Sequence, residues 1–191
     1  MRKEIIGIFC FFLVIFTLIS LLSFSPDDPS IHNAKNTGEI HNLFGLLGAH
    51  LAGILIGLFG LGAFWIPLLL LLTSIHFFGD HPTKAKISTL IGGILLVVTT
   101  GSLLAVRQDS YLLFDNRFSA GGMVGIPLKS FLTLYTNVTG TLIILILLWI
   151  VGFILATGFS LIAFAKRFWN WINTVVDQIT TLYLKRKERK E

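Results

Sequence analysis

Three long stretches of the chain contain no charged residue and have the length of a membrane-spanning helix. Ile5 to Phe24 and Ile87 to Val106 each have 20 residues, and Thr139 to Phe164 has 26. A helix of 20 residues is about 30 Å long, which is the thickness of the hydrocarbon core of a bilayer. The pattern therefore predicts transmembrane helices over residues 5–24, 87–106 and 139–164.

A fourth apolar stretch, from Leu43 to Phe78, has 36 residues. It is too long for one perpendicular crossing and too short for two crossings joined by a turn. We therefore divide it into an interfacial lead-in and a transmembrane helix over residues 53–78. Proline in a helix interior removes a hydrogen bond, so a kink is predicted at Pro67.

The remaining segments are polar or mixed. Ser25 to Asn42 opens with two prolines and two aspartates, which predicts a turn outside the membrane. Arg107 to Asn137 mixes charged and apolar residues and is expected to fold back on the membrane surface. Beyond residue 166, apolar positions recur at helical spacing, which predicts a cytoplasmic amphipathic helix that leads into the charged start of a linker at Lys185.

The predicted fold is an all-α integral membrane protein with four transmembrane helices, interfacial segments and a C-terminal amphipathic helix. Residues 1–165 form the four-span domain and residues 166–191 follow it. Composition agrees, because 54% of residues are hydrophobic and 13% are charged, with a mean hydropathy of +0.82. An ordinary soluble domain carries about 25% charged residues, so a water-soluble fold is excluded.

The distribution of Lys and Arg predicts the orientation. The N-terminus, the second loop and the C-terminal segment hold eleven, whereas the other two loops hold four. Since positive charge is retained on the cytoplasmic side, both termini are predicted to be cytoplasmic.

Chemical sites are largely missing from the sequence. No ionisable side chain lies near the middle of a predicted span, which disfavours a transporter, a proton pump or a channel. The five histidines lack metal-site spacing, and neither a nucleophile elbow nor paired catalytic carboxylates occur. The chain also lacks the GxxxxGK[ST] phosphate loop. We therefore expect no catalytic residue, no metal and no cofactor in this chain, and no direct nucleic-acid site.

Small residues at intervals of four are the more informative feature, because they allow helix backbones to approach closely. One such ridge lies in the second apolar stretch and one in the last, and they contain these helix-packing candidates: Gly45, Ala49, Gly53, Gly57, Gly152, Ala156 and Ser160. They could pack helices within one protomer or between subunits.

Several motifs in order resemble the N-terminal four-span membrane domain of the FtsK/SpoIIIE DNA translocases. They are the stretch from Leu21 to Ser30, the stretch from Asn42 to Ala52, Phe59-Gly60 with Pro67 downstream, and the glycine cluster from Gly121 to Gly125. The resemblance covers residues 5–165. Its family-motif residues in this chain are Asp28, Pro29, Asn42, Gly48, Ala49, Gly121, Gly122 and Gly125.

The resemblance implies a septal anchor in the bacterial inner membrane that acts in cell division and chromosome segregation. Its expected partners are the lipid bilayer, membrane proteins of the division machinery, and further copies of the chain, since the full-length family forms hexamers. In that family a linker connects this domain to a RecA-like ATPase, and this chain is expected to lack that motor because it ends at Glu191. A small stand-alone transporter or channel is the alternative.

Overall fold

The computed structural model describes residues 2–30, 40–78, 87–114 and 116–158, together with positions 166, 169, 170, 172, 173 and 176. The chain divides into two units, residues 1–157 and 158–191. The six described positions beyond Gly158 are helical. Ser160, most of the predicted C-terminal amphipathic helix, and the loop Gly79 to Lys86 lie outside the described residues.

The described residues of the first unit form five α-helices and a two-stranded β-hairpin. The helices are α1 (Arg2–Leu22), α2 (Gly45–Phe59), α3 (Trp65–Phe78), α4 (Ile87–Arg107) and α5 (Gly122–Thr157), and the strands are β1 (Ser110–Leu113) and β2 (Asn116–Ser119). A 3-10 helix, Gly60–Phe64, joins α2 to α3. In the part of the chain that the structure describes, four stretches are long and apolar enough to cross a membrane, so the predicted four-span membrane fold is confirmed.

The spans pack in alternating directions. Ser74 Oγ in α3 donates a hydrogen bond to the Gly7 carbonyl in α1 at 3.0 Å. Trp149 Nε1 in α5 donates to Thr100 Oγ1 in α4 at 2.9 Å, and Gly152 lies beside Leu96. The last residues of α1 and α4 lie on the side of the bundle where the β-hairpin is found. We call this side the hairpin end.

The helix α2 does not cross the bundle as a span. Its first residues contact α1 at Phe16, whose ring lies 4.8 Å from that of Phe44, and at Ser20. Its later residue Ile56 joins the buried cluster that contains Leu21. A Cβ at Gly53 would lie 2.6 Å from Ser30 Cβ, beyond the end of α1, and the Phe59 carbonyl lies beside Gly101 in the last third of α4, so α2 stays at the hairpin end.

The crossing segment of the second apolar stretch consequently begins at Gly60 and not at Gly53. Gly60 has φ +59°, a conformation that favours glycine, and this residue redirects the chain between α2 and the 3-10 helix. The break also lies at residues 60–64 and not at Pro67, which sits in the first turn of α3 where proline is tolerated.

The mixed segment after Arg107 differs from the expectation as well. It forms the β-hairpin and the first part of α5, which begins at Gly122. Asn137, with φ +58°, breaks α5 into two arms, residues 122–136 and 138–157. Thr141 Oγ1 donates to Thr133 Oγ1 at 3.2 Å, whereas eight residues of straight helix would separate them by about 12 Å. The break is therefore a sharp bend, and the second arm is the fourth span.

Candidate interaction face at the hairpin end

A buried carboxylate connects the end of α1 to the start of α2. Only 2% of the Asp28 side chain is exposed. Its Oδ1 accepts a hydrogen bond from the His41 amide at 2.8 Å, and its Oδ2 accepts one from the Asn42 amide at 2.9 Å. His41 Nδ1 lies 3.1 Å from the same Oδ1. The carboxylate thereby provides an acceptor for the buried Asn42 amide and for the partly buried His41 amide.

Asn42 continues this connection into α1. Its Nδ2 donates to the Ser20 carbonyl at 2.8 Å and to the Ser23 carbonyl at 3.3 Å, and its Oδ1 accepts from the Phe44 amide at 3.1 Å. A Cβ at Gly48 would collide with Asn42 Oδ1 and lie 2.9 Å from Ser20 Oγ. Gly48 must therefore be glycine for the Asn42 side chain to reach α1. We call Asp28, Asn42 and Gly48 the loop clamp.

A second close contact joins α2, α4 and the start of α5 through glycines. A Cβ at Gly101 in α4 would lie 2.7 Å from the Phe59 carbonyl oxygen and 3.0 Å from Gly121 Cα. Gly122 has φ +58°, and its backbone lies against that of Leu58. Gly125 lies against Ser102. Because these approaches are backbone to backbone, side chains at these positions would force the helices apart.

The β-hairpin is anchored on one face and exposed on the other. Phe118 is fully buried, with its ring 5.2 Å from that of Phe24 and 6.3 Å from that of Phe64. Arg117 is opposite Leu112 on the other face, where Leu112 is 70% exposed. The aromatic anchor fixes the hairpin on the bundle and presents Leu112 outwards.

The hairpin tip forms one wall of an open cleft of about 460 Å³. The lining combines apolar side chains with hydroxyl, amide, imidazole and carboxylate groups, and consists of Leu22, Ser23, Ser25, Asp27, His41, Leu43, Phe114 and Asn116. Phe114 and Leu43 are 66% and 78% exposed. Exposed apolar side chains that lie together on a surface are typical of an interaction site.

An ion pair ties the hairpin root to the first arm of α5. Lys129 Nζ lies 3.0 Å from Asp109 Oδ1, and the Asp109 side chain is 62% exposed. Such an exposed pair contributes about 0–1 kcal/mol, so it orients these segments more than it stabilises them.

The predicted ridges lie in different surroundings. Gly152 and Ala156 face α4 of the same chain, where Gly92 and Leu96 approach them. In α2, Ala49 is buried. A Cβ at Gly53 would lie 2.6 Å from Ser30 Cβ, the Gly57 carbonyl lies beside Gly122, and a Cβ at Gly45 would meet nothing within 4 Å.

The motif residues come together in two places. Asp28, Asn42 and Gly48 form the loop clamp, with Ala49 buried next to it. Gly121, Gly122 and Gly125 form the glycine contact with α2 and α4. Pro29 is half-buried between Asp28 and Ser30.

Several residues of this face were not singled out in the sequence. They are Ser20, Gly101 and Phe118. Small residues in the second half of α1 and of α4 are the signal that could have indicated Ser20 and Gly101. In the described part of the chain no three His, Cys, Asp or Glu side chains are grouped as metal ligands would be.

Known proteins resemble the chain over most of its length. The family model "4TM region of DNA translocase FtsK/SpoIIIE" matches residues 1–169. A DNA translocase FtsK of Vibrio vulnificus is 32% identical over 166 residues, which are 84% of this chain and 16% of the relative. The FtsK of Vibrio parahaemolyticus is 35% identical over 82% of this chain and 14% of the relative.

A third relative, the DNA translocase FtsK of Shewanella oneidensis, is 31% identical over 80% of this chain. The matched region is 17% of that relative, so the chain spans about a sixth of the length of these three proteins. No solved structure matches the chain.

Proposed function

From the membership of this chain in the family of FtsK/SpoIIIE four-span membrane regions, we propose that it anchors a DNA translocase in the membrane at the site of cell division. The chain is a multi-pass membrane protein with four candidate spans. It matches the membrane region of its relatives, and this region is 16% of the length of the Vibrio vulnificus protein. In this proposal the chain supplies attachment and targeting, while ATP hydrolysis and DNA movement belong to a motor domain outside the matched region.

The loop clamp is the observation that best supports an anchoring and targeting role. Its residues are among those that carry the resemblance, and they connect buried backbone at the end of α1 to the start of α2. This connection and the buried Phe118 hold an ordered face on which Leu112, Phe114 and Leu43 are exposed. A fixed face with exposed apolar side chains suits contact with other membrane proteins, and we propose division proteins and further copies of the chain as partners.

We further propose that both termini are cytoplasmic and that the hairpin end faces the periplasm. The two terminal segments and the second loop hold eleven Lys and Arg, whereas the other two loops hold four, and this difference supports the proposed orientation. Reporter fusions after Asn36 and Asn116 are expected to give periplasmic signals, and fusions after Lys84 and Glu191 cytoplasmic ones. A cytoplasmic signal at Asn36 would reverse the proposed orientation.

The targeting role predicts where the protein gathers in dividing cells of its source. A fluorescent fusion of the chain is expected at midcell, whereas the purified chain is expected to show no ATPase activity above background. Both outcomes follow because targeting would depend on the spans and the hairpin end, and hydrolysis would need a phosphate loop. Fluorescence microscopy and a phosphate-release assay measure them.

A pair of variants tests which surface directs that localisation. The double substitution Leu112→Ser and Phe114→Ser removes exposed apolar side chains from the hairpin and is expected to lower the midcell signal by about ten-fold while insertion stays normal. Ile146→Ser and Leu147→Ser change an exposed apolar pair on the fourth span and serve as the matched control. A uniform distribution of the parent chain, with normal insertion, would reject the division role and favour the transporter alternative, which ion flux in liposomes would then test.

A further inference from the structure

Two helical segments lie in only one half of the bundle, the half at the hairpin end. They are α2 and residues 122–136 of α5. Their depth follows from the spans that they contact, because each residue of a span corresponds to about 1.5 Å along its axis.

For α2, both ends lie in the half of the bundle at the hairpin end. The Phe44 ring is next to the ring of Phe16, which is six residues before the end of α1. The Phe59 carbonyl is next to Gly101, which is six residues before the end of α4. The Leu43 amide donates to Ser23 Oγ and Gly48 lies against Ser20, so α2 begins near the end of α1, whereas its last residue is about 9 Å inside the end of α4. This depth corresponds to the acyl chains of one leaflet.

The first arm of α5 rises obliquely from the same depth. Gly122 and Gly125 lie against Leu58 and Ser102, and Lys129 reaches Asp109, which is two residues beyond the end of α4. Its start is thus within the leaflet and its later turns approach the surface. The bend at Asn137 then returns the chain into the fourth span.

In the opposite half of the bundle, the described residues belong only to the four spans. Gly7 in α1 meets Ser74 in α3, and Gly92 in α4 meets Leu155 and Ala156 in the second arm of α5. Among the residues that the structure describes, the cross-section is therefore larger in the leaflet at the hairpin end than in the other leaflet.

In this half of the bundle α2 presents apolar side chains, since Leu46 and Leu47 are 51% and 75% exposed. Phe131 and Leu134 are 59% and 78% exposed, and they follow Lys129 towards the surface. Apolar side chains at the depth of acyl chains contact lipid, and helices inserted in one leaflet bind more strongly where that leaflet is curved outwards.

We propose that this domain acts as a wedge in the bilayer: α2 and the first turns of α5 insert into the leaflet at the hairpin end, so the protein prefers membrane in which that leaflet is convex. The partner is the lipid bilayer itself. This preference goes beyond anchoring and does not depend on a division role, so pure lipid vesicles are sufficient to test it.

The first measurement compares the depth of two positions of α2 in the full-length chain. Spin labels are placed at Leu47→Cys and at Leu58→Cys in a Cys10→Ser background, and their accessibility to oxygen and to a polar nickel complex is recorded. A spanning helix would separate these positions in depth by about 16 Å, whereas the wedge places both in one leaflet within a few ångströms. A separation close to that of a span would overturn the proposal.

The second measurement compares orientations in small sonicated and large extruded vesicles of the same lipids. Asn116→Cys in the Cys10→Ser background is labelled with a membrane-impermeant maleimide, which reports chains whose hairpin end is outside. The ratio of outside to inside hairpin ends is expected to be at least about two-fold higher in the small vesicles. Equal ratios in the two preparations would overturn the proposal, whatever the variants below show.

A matched pair of variants tests the cause of this bias. Leu46→Ser with Leu47→Ser removes lipid-facing side chains from α2 and is expected to reduce the orientation bias at least about two-fold. Ile146→Ser with Leu147→Ser removes an equally sized pair from a helix that crosses both leaflets and is expected to leave the bias unchanged. An equal effect of the two pairs would show that general apolarity, and not the wedge, sets the orientation.

Discussion

Replacement of Asp28 by alanine is expected to lower the free energy of unfolding by about 2–4 kcal/mol. The substitution leaves the amides of His41 and Asn42 without their acceptor. Each buried backbone donor without a partner costs about 1–3 kcal/mol, and water reaches this site poorly because Asp28 is 2% exposed. The loop clamp should then open, and α2 should lose its attachment to α1. Unfolding in mixed micelles with increasing anionic detergent measures the difference.

The neighbouring carboxylate provides the control for this prediction. Asp27 has the same charge and the same place in the motif, but its side chain is exposed, so Asp27→Ala should stay within about 0.5 kcal/mol of the parent. Asp28→Asn keeps one oxygen acceptor and should fall between the two. If Asp27→Ala and Asp28→Ala had equal effects, the motif would act through its charge and not through the buried hydrogen bonds.

The sequence predicts the spans well because their signal is local. A charge-free stretch of 20 residues determines a transmembrane helix by length alone, and α1 and α4 begin and end within a few residues of the predicted bounds. The same signal cannot separate α2 from α3. A helix that lies within one leaflet is as apolar as a helix that crosses both, so only the direction change at Gly60 divides the stretch.

The sequence predicted which residues belong to the candidate site but not which of them contact one another. The resemblance selected Asp28 and Asn42, but the hydrogen bond between them connects residues 14 positions apart across a polar loop. No periodicity in the sequence reports such a contact. The hairpin was missed for a related reason, since its strands have four residues each and its stability comes from the burial of Phe118 among distant rings.

The contact between α4 and the second arm of α5 should tolerate a methyl group at Gly93 but not at Gly92. A Cβ at Gly92 would collide with the Ala156 amide and lie 2.5 Å from Leu155 Cβ, so the helix itself would have to move. A Cβ at Gly93 would lie 3.1 Å from Leu69 Cδ1, the end of a flexible side chain. Overpacking against a backbone costs about 1–3 kcal/mol, occasionally more.

The comparison of Gly92→Ala with Gly93→Ala isolates this packing term, because the two positions are adjacent in one helix and share any gain in helix propensity. Gly92→Ala is expected to unfold about 2–3 kcal/mol more easily than Gly93→Ala in the same mixed micelles. The difference in stability between the two variants also distinguishes packing within one chain from packing between subunits. Because the contact joins two helices of a single protomer, this difference should not depend on protein concentration. A difference that disappears on dilution would place the small residues of α4 at an interface between copies.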